Sequence, residues 1–190
     1  MKRKEVIVDA DFCIKIGSSS KYRYLEKLLP ELAEVVYIHK TVYEEILYPS
    51  CVREQIDSLK KQGIMVLMDE NELLPLEKRI YDSTYQILSK AMADPRNRRK
   101  NRGEIASLAM AKTKEIPYFA TDEMDLQNIV DSLLNSGIGK RICCIRIEAV
   151  IKEMKDGEID SFKRKEAKVL WVLAGKRKED FDNTVWPVEK

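Results

Sequence analysis

The sequence predicts an α/β fold: a three-layer α/β/α arrangement with a central, mainly parallel sheet of about five strands and a C-terminal helical appendage. Two observations lead to this prediction. Short apolar runs alternate along the chain with longer segments of helical period, a pattern typical of a parallel sheet covered by helices on both faces. After Gly157, apolar residues again recur at helical spacing, which predicts an added helix over residues 158–176.

The composition is that of an ordinary globular chain. Its 190 residues suit one domain, or one domain with an appendage, and 44% of them are hydrophobic. The 34 Lys and Arg residues nearly balance the 32 Asp and Glu residues, which excludes a uniformly basic nucleic-acid coat but leaves room for a local basic patch. With only 7 Gly and 6 Pro, the chain also differs from disordered and collagen-like sequences.

Five apolar runs are predicted to form the strands, at 6–8, 35–38, 64–67, 118–120 and 142–145. Helices are predicted at 21–29, 41–48, 51–62, 76–93, 104–114 and 125–136. Pro30 is expected to end the first helix, and Gly63 the third. Because no linker rich in Ser, Gly or Pro divides the chain, we predict one domain over residues 1–150 with a C-terminal helical extension over residues 151–190, packed on or beside it.

The cysteines and the N-terminal segment favour a cytoplasmic protein. The four cysteines form no CxxC pair, and His39 is the only histidine. The sequence therefore contains no set of Cys and His residues with the spacing of a zinc site. The first apolar run is interrupted at Asp9, too early for a secretory signal. No stretch approaches the roughly 20 apolar residues of a membrane span. We therefore expect reduced thiols, a cytoplasmic location and no membrane association.

Acidic residues follow two of the predicted strands directly. Asp9 comes after the first strand and Asp122 after the fourth, with Glu123 and Asp125 close behind. Acids are common in loops and at helix starts for purely structural reasons. For Asp9, the first polar position after three buried β-branched residues, a functional interpretation is nevertheless favoured. Since the carboxyl ends of parallel strands share one edge of a sheet, these carboxylates are expected to meet in the same crevice.

Two predicted helix starts supply further acids. Glu104 follows Gly103 at the start of a helix rich in small residues, and an acid that faces inward there needs a partner. The spacing from Thr41 to Glu44 matches a capping box, in which Glu44 would reach back to the cap N–H. Glu45 is therefore the better functional candidate of this pair.

Converging carboxylates cannot all stay ionised side by side without a cation. No cluster of Lys or Arg lies near Asp9 or Asp122 in the sequence, so the expected neutraliser is Mg²⁺ or Mn²⁺. Such a site suits phosphodiester hydrolysis, because a metal lowers the pKa of a bound water. A basic run precedes Glu104 and is expected either to bind RNA phosphates or to be a solvated loop without a ligand. Its members are Arg96, Arg98, Arg99, Lys100 and Arg102.

Four segments of the chain resemble those of PIN-domain ribonucleases and occur in the order found in that family. They read VIVDAD from position 6, TVYEEIL from 41, GEIASLA from 103 and ATDEMDLQN from 120. The resemblance covers about residues 5–147 and implies a PIN-like fold. It implies a catalytic and metal-binding pocket made of Asp9, Glu45, Glu104 and Asp122, with Glu123 and Asp125 as further candidate ligands and Asp11 and Thr121 as supporting residues.

The function implied by this resemblance is that of a divalent-metal-dependent endoribonuclease acting on single-stranded or structured RNA. The last segment looks like the Thr-Asp-Asp segment of PIN enzymes that process ribosomal RNA precursors, with Glu123 where a second Asp is common. A toxin-type role and an RNA-processing role both follow from the family. The expected partners are RNA, an antitoxin protein and a second copy of the chain in a homodimer.

Two other functions compete with this interpretation. Asp9 and Asp11 after an apolar strand also look like the first motif of haloacid-dehalogenase-type phosphohydrolases, in which Asp9 would attack phosphorus and Asp11 would act as acid and base. Cys13 stands where that family expects Thr or Val, and Glu45 and Glu104 would have no role. The third hypothesis is a PIN fold without catalysis that serves as an RNA-binding module.

Overall fold

Five parallel strands form the central sheet of the protein. They are β1 (Arg3–Val8), β2 (Ala33–His39), β3 (Met65–Met68), β4 (Tyr118–Ala120) and β5 (Cys143–Ile145), arranged in the order β3-β2-β1-β4-β5. The computed structural model describes residues 2–92, 94, 97, 100–137 and 139–188. Each of the five predicted apolar runs overlaps one strand, with Ile64 and Ile142 one residue outside β3 and β5, and the predicted α/β class is confirmed.

Helices cover both faces of this sheet. One face packs against α1 (Ala10–Gly17), α2 (Tyr24–Leu32), α4 (Ser50–Lys61), α8 (Ile147–Lys155) and α9 (Arg164–Leu173). The other face packs against α5 (Pro75–Met92), α6 (Arg102–Thr113) and α7 (Leu126–Leu133). The short helix α3 (Lys40–Glu45) directly follows β2.

The central strand β1 shows why the sheet lies between two layers. Val6 and Val8 belong to the first apolar cluster, whereas Ile7 belongs to the second. Successive side chains of a strand point to opposite faces, and all three of these residues are fully buried. The uninterrupted apolar run in the sequence therefore corresponds to a strand covered on both sides.

Two helices near the N-terminus differ from the predictions. Helix α1 was not predicted, and it begins directly after Asp9, which caps it. Pro30 lies inside α2, which continues to Leu32, so the prediction that Pro30 ends this helix is wrong. A proline in the last turn removes a single hydrogen bond, and the buried leucines of α2, among them Leu29 and Leu32, hold the turn in place.

The start of α3 also differs from its prediction. The helix begins at Lys40 and ends at Glu45, and its cap is His39, whose Nδ1 accepts the N–H of Thr41 at 3.1 Å. The predicted capping box from Thr41 to Glu44 is therefore wrong. His39 is fully buried beside the hydroxyl of Tyr81, 3.2 Å from its Nε2, and this burial lowers the pKa of its imidazole. By contrast, Gly63 follows α4 with a φ of +72°, as its position predicted.

The C-terminal residues belong to the same apolar cluster as β1 and α1. Helix α9 is followed by α10 (Lys178–Asp180) and by a π-helical turn, Phe181–Val185. Fully buried Phe181 packs between Trp171 and Trp186, with ring centroids 6.2 and 6.4 Å away. Position 150, the predicted limit of the first domain, lies inside α8. Within the described ranges, no helix is long and apolar enough to cross a membrane.

Because Phe181 is a core residue, we expect Phe181→Ala to lower the free energy of unfolding by about 3–5 kcal/mol. Val188→Ala, at a side chain that is 66% exposed, is the matched control and should leave stability nearly unchanged. Denaturant unfolding followed by circular dichroism and by tryptophan fluorescence measures both variants. Two separate transitions, with the larger one unaffected by Phe181→Ala, would show that the extension unfolds on its own.

Candidate functional site

Asp9 and Asp122 leave the sheet side by side. Strands β1 and β4 are neighbours, with Val8 paired to Ala120, and the N–H of Asp9 donates to the carbonyl of Ala120 at 3.1 Å. The parallel pairing therefore places the Asp9 position and the Thr121-Asp122 segment at the same edge of the sheet. This is the juxtaposition expected from the sequence for these two acids.

Asp9 is held by one oxygen and leaves the other one free. Its Oδ1 accepts the N–H of Phe12 at 2.7 Å and so caps α1. Its Oδ2 is buried and has no hydrogen-bond partner in the part of the chain that the structure describes. Burial raises the pKa of Asp9 to about 8, against the lowering effects of the Thr121 hydroxyl and the Phe12 N–H. A carboxyl group that is only 1% exposed thus has one unused acceptor oxygen.

Asp122 has the same division between its two oxygens. Its Oδ2 lies 2.9 Å from Nζ of Lys15 and 3.6 Å from Nζ of Lys176. Its Oδ1 is buried without a partner among the described atoms, and the residue as a whole is 7% exposed. The sequence has no cluster of Lys or Arg near Asp122, but the fold brings two lysines to it: Lys15 lies on α1 and Lys176 follows α9.

Glu104 lies near acids from three other segments. Burial, together with the charges of Glu123, Glu45 and Asp11, raises its pKa to about 7, whereas Lys100 opposes the shift. Glu104 lies in the first turn of α6. These three acids belong to α3, α1 and the segment after β4, and their charges act on Glu104 across the carboxyl side of the sheet.

Glu45 lies against the first turn of α6. Desolvation raises the pKa of Glu45, and the nearby charge of Arg102 and the backbone N–H of Gly103 lower it by less. A Cβ at position 103 would lie 2.5 Å from Oε2 of Glu45 and 3.0 Å from Cγ2 of Val42. Position 103 therefore lacks a side chain at the point where α3 and α6 approach each other most closely.

A cleft beside Glu104 contains the remaining acidic candidates. Its volume is about 480 Å³, and Glu104, Glu123 and Asp125 line it together with Lys100 and apolar residues of α5 and α7. Glu123 and Asp125 are exposed, unlike Asp122. Of the predicted RNA-binding residues, Lys100 lies at this cleft and Arg102 beside Glu45. The other three, Arg96, Arg98 and Arg99, lie outside the described residues.

The residues at this edge fit a hard divalent cation. Mg²⁺ is commonly bound by one or two carboxylates and retains several waters, and Asp9 Oδ2 and Asp122 Oδ1 are buried oxygens that lack any other partner among the described residues. As the side chains stand, no group of three or more His, Cys, Asp or Glu residues in the described ranges is positioned to hold an ion. The two unpartnered aspartate oxygens are therefore candidate donors, and Glu104, whose charge acts on Asp9, is a further candidate.

Several charged residues of this edge were missed by the sequence analysis. Arg146 directly follows β5, so the rule that applied to Asp9 and Asp122 could have identified it. Lys15 lies four residues after Asp11, and the two form an ion pair of 2.7 Å, a spacing that is readable on a helix. Lys176 follows α9 and contacts Glu148 at 2.6 Å. No local pattern indicates this contact.

Comparison of the chain with protein-family models, with curated proteins and with solved structures finds no significant match. The resemblance of its segments to PIN-domain ribonucleases therefore stays a prediction.

The contact between Gly103 and Glu45 gives the first prediction for the site. Gly103→Ala should displace the Glu45 carboxylate while changing the free energy of unfolding by no more than about 1 kcal/mol, because a flexible side chain can move away and alanine favours helix. Mn²⁺ binding, measured by isothermal titration calorimetry, should weaken severalfold. Gly137→Ala is the control, since a Cβ there meets no atom within 4 Å. Unchanged Mn²⁺ affinity in Gly103→Ala would remove Glu45 from the site.

The raised pKa of Asp9 predicts the pH dependence of stability without metal. Between its ordinary pKa of 3.8 and its folded value of about 8, the folded protein holds a proton that the unfolded chain has released. The free energy of unfolding should therefore fall as pH rises through this window and level off above it, with Glu104 adding to the fall up to its pKa of about 7.

Melting temperatures in EDTA across this pH range measure the effect. Asp9→Asn keeps the acceptor oxygen for the Phe12 N–H but cannot ionise, so its melting temperature should fall less steeply with pH. If the melting temperatures of the variant and the unmutated protein fall equally with pH, Asp9 does not cause the pH dependence of stability.

Proposed function

We propose that the protein is a divalent-metal-dependent endoribonuclease with a PIN-like fold that hydrolyses phosphodiester bonds of single-stranded or structured RNA. One observation carries this proposal: Asp9 and Asp122 follow neighbouring parallel strands at the carboxyl edge of the sheet, and each presents a buried oxygen with no partner among the described residues. Such oxygens are ligands that Mg²⁺ and Mn²⁺ prefer.

The residues at this edge would have different roles in the reaction. Asp9 and Asp122 would hold the ion, with Glu104 and Glu45 as further ligands. When bound, Mg²⁺ or Mn²⁺ supplies a water of lowered pKa and positive charge for the leaving oxygen. The pKa of Glu104, about 7, also suits this carboxylate to take up and release a proton near neutral pH. Thr121 lies beside Asp9, and its Oγ1 also accepts the N–H of Glu123 at 3.2 Å, which fixes the turn after β4.

Unpaired RNA is the substrate that this site favours. A cleft open at the surface can accept splayed bases and an accessible backbone, whereas the grooves of a duplex are difficult to enter. Lys100 at the cleft and Arg102 at the start of α6 are placed to meet phosphates near the carboxylates. The proposal covers two biological roles, that of a toxin and that of an RNA-processing enzyme. The proposed protein partners are an antitoxin or a second copy of the chain.

The central prediction concerns cleavage of a fluorescently labelled single-stranded RNA. Hydrolysis should require Mn²⁺ or Mg²⁺ and cease in excess EDTA. Glu104→Gln should lower turnover by about a hundredfold or more, since a ligand and proton acceptor is lost. Glu44→Gln is the matched control: this exposed neighbour of Glu45 on α3 should retain nearly full activity.

The other two hypotheses give different results in the same experiment. A covalent phosphohydrolase would leave Glu104→Gln nearly unaffected and would carry a phosphoryl group on Asp9, detectable by mass spectrometry after trapping with a fluoride analogue. A binding module would retain RNA without cleaving it under any metal condition. Cleavage that continues at full rate in EDTA would contradict the metal-dependent mechanism.

A further inference from the structure

Two lysine ammonium groups lie near the same carboxylate oxygen of Asp122. Lys15 Nζ lies 2.9 Å from Asp122 Oδ2, and Lys176 Nζ lies 3.6 Å from the same atom. Lys15 comes from α1, whereas Lys176 comes from the C-terminal extension. The candidate acidic site thus has a cationic side, built by segments more than a hundred residues apart along the chain.

The carboxyl edge of the sheet is divided by charge. The acids follow β1 and β4 or lie on α3 and α6, whereas Arg146 follows β5, the strand at the end of the sheet next to β4. On this side three cations face three carboxylates: Arg146, Lys15 and Lys176 against Asp11, Asp122 and Glu148. This side therefore has no excess negative charge to repel a phosphate, in contrast to the surroundings of Asp9, Glu45 and Glu104.

The position of Lys176 is fixed by the end of α9. Gly175 has a φ of +76°, which turns the chain out of the helix, and the N–H of Lys176 donates to the carbonyl of Trp171 at 3.2 Å. The indole Nε1 of Trp171 donates to the carbonyl of Arg177 at 2.8 Å, and the ammonium of Lys176 lies 5.5 Å from the centre of the indole ring. The extension thus holds this lysine at the site instead of leaving it free in solvent.

Both lysines retain capacity for a further acceptor. An ammonium group has three N–H donors, and the distance from Lys176 to Asp122, 3.6 Å, exceeds that of a normal hydrogen bond. The side chains are 28% and 18% exposed for Lys15 and Lys176, respectively, so a ligand in the crevice can reach them. An anion at this point would touch both ammonium groups and lie next to the free oxygen of Asp122.

We propose that Lys15 and Lys176 form a phosphate-binding site for the RNA backbone, so that the C-terminal extension completes the substrate site. The proposal rests on the proposed nuclease function, since it names the group that binds the phosphate next to the carboxylates. Lys176 binds substrate and at the same time repels a cation at the carboxylates, and its removal therefore has opposite effects on the two ligands.

The first part of the test measures binding of a short fluorescein-labelled single-stranded RNA by anisotropy, in EDTA so that no hydrolysis occurs. Lys176→Met and Lys15→Met should each weaken binding roughly tenfold, as expected for one lost charge-assisted contact, and should flatten the salt slope by about 0.7. Lys176→Arg keeps the charge and should bind nearly as well as the unmutated protein. Lys165→Met, at an exposed lysine of α9, is the matched control and should change neither quantity.

The second part measures Mn²⁺ binding by calorimetry, without RNA. Lys176→Met should strengthen it by about fivefold, because a positive charge that repels the divalent ion is lost. A lysine that only docked the extension would weaken the binding of both ligands or of neither. Opposite changes in RNA and Mn²⁺ affinity therefore identify a substrate-binding cation.

The results test the phosphate-binding site and the nuclease function separately. Unchanged RNA affinity and salt slope in both lysine variants would overturn the phosphate site even if the protein is an active nuclease. An unmutated protein that binds RNA through these lysines but neither binds Mn²⁺ nor cleaves RNA would overturn the nuclease function and leave the phosphate site standing. If Lys176→Met fails to fold by circular dichroism, Lys15→Met and Lys176→Arg carry the test, and loss of RNA binding in Lys176→Arg alone would contradict it.

Discussion

The burial of Asp9 at the end of the central strand is the constraint on which the site depends. Strand β1 is paired on both edges and covered on both faces, so the first residue after it cannot reach bulk water. A buried carboxylate is unstable unless nearby groups compensate its charge. The Phe12 N–H at the start of α1 satisfies one oxygen, and the surroundings of the other determine what the site can bind.

The same strand order explains how charge is distributed along the edge. Because β4 lies between β1 and β5, Asp122 is placed between Asp9 on one side and Arg146 on the other. Lysines 15 and 176 hold one oxygen of Asp122 on the cationic side, and its other oxygen remains unpaired within the described residues. Asp122 thus joins the two halves of the edge. A phosphodiester placed there would lie between the acidic half of the edge and the half that carries Arg146 and the two lysines.

The approach of α3 to α6 is the second structural requirement. Glu45 packs against the first turn of α6, where a Cβ at position 103 would lie 2.5 Å from its Oε2. Burial raises the pKa of Glu104, one residue later, and the charges of acids from three other segments add to this effect. The pair Gly103-Glu104 therefore serves two different carboxylates, one through its backbone and one through its side chain.

The sequence by itself determined the elements and the shared edge. Apolar runs of strand length identified all five strands, and the position of Asp9 and Asp122 directly after two of them indicated that their backbones would meet. These are local properties, because the alternation of side chains and the ends of strands depend on residues that are neighbours in the sequence. Features that depend on packing were not accessible in this way: the His39 cap in place of Thr41, the continuation of α2 through Pro30, and the contacts of Lys176. Lys176 reaches Asp122 only because α9 packs beside α1 and α8 in one apolar core, and the free energy of that packing is distributed over many residues far apart in the chain.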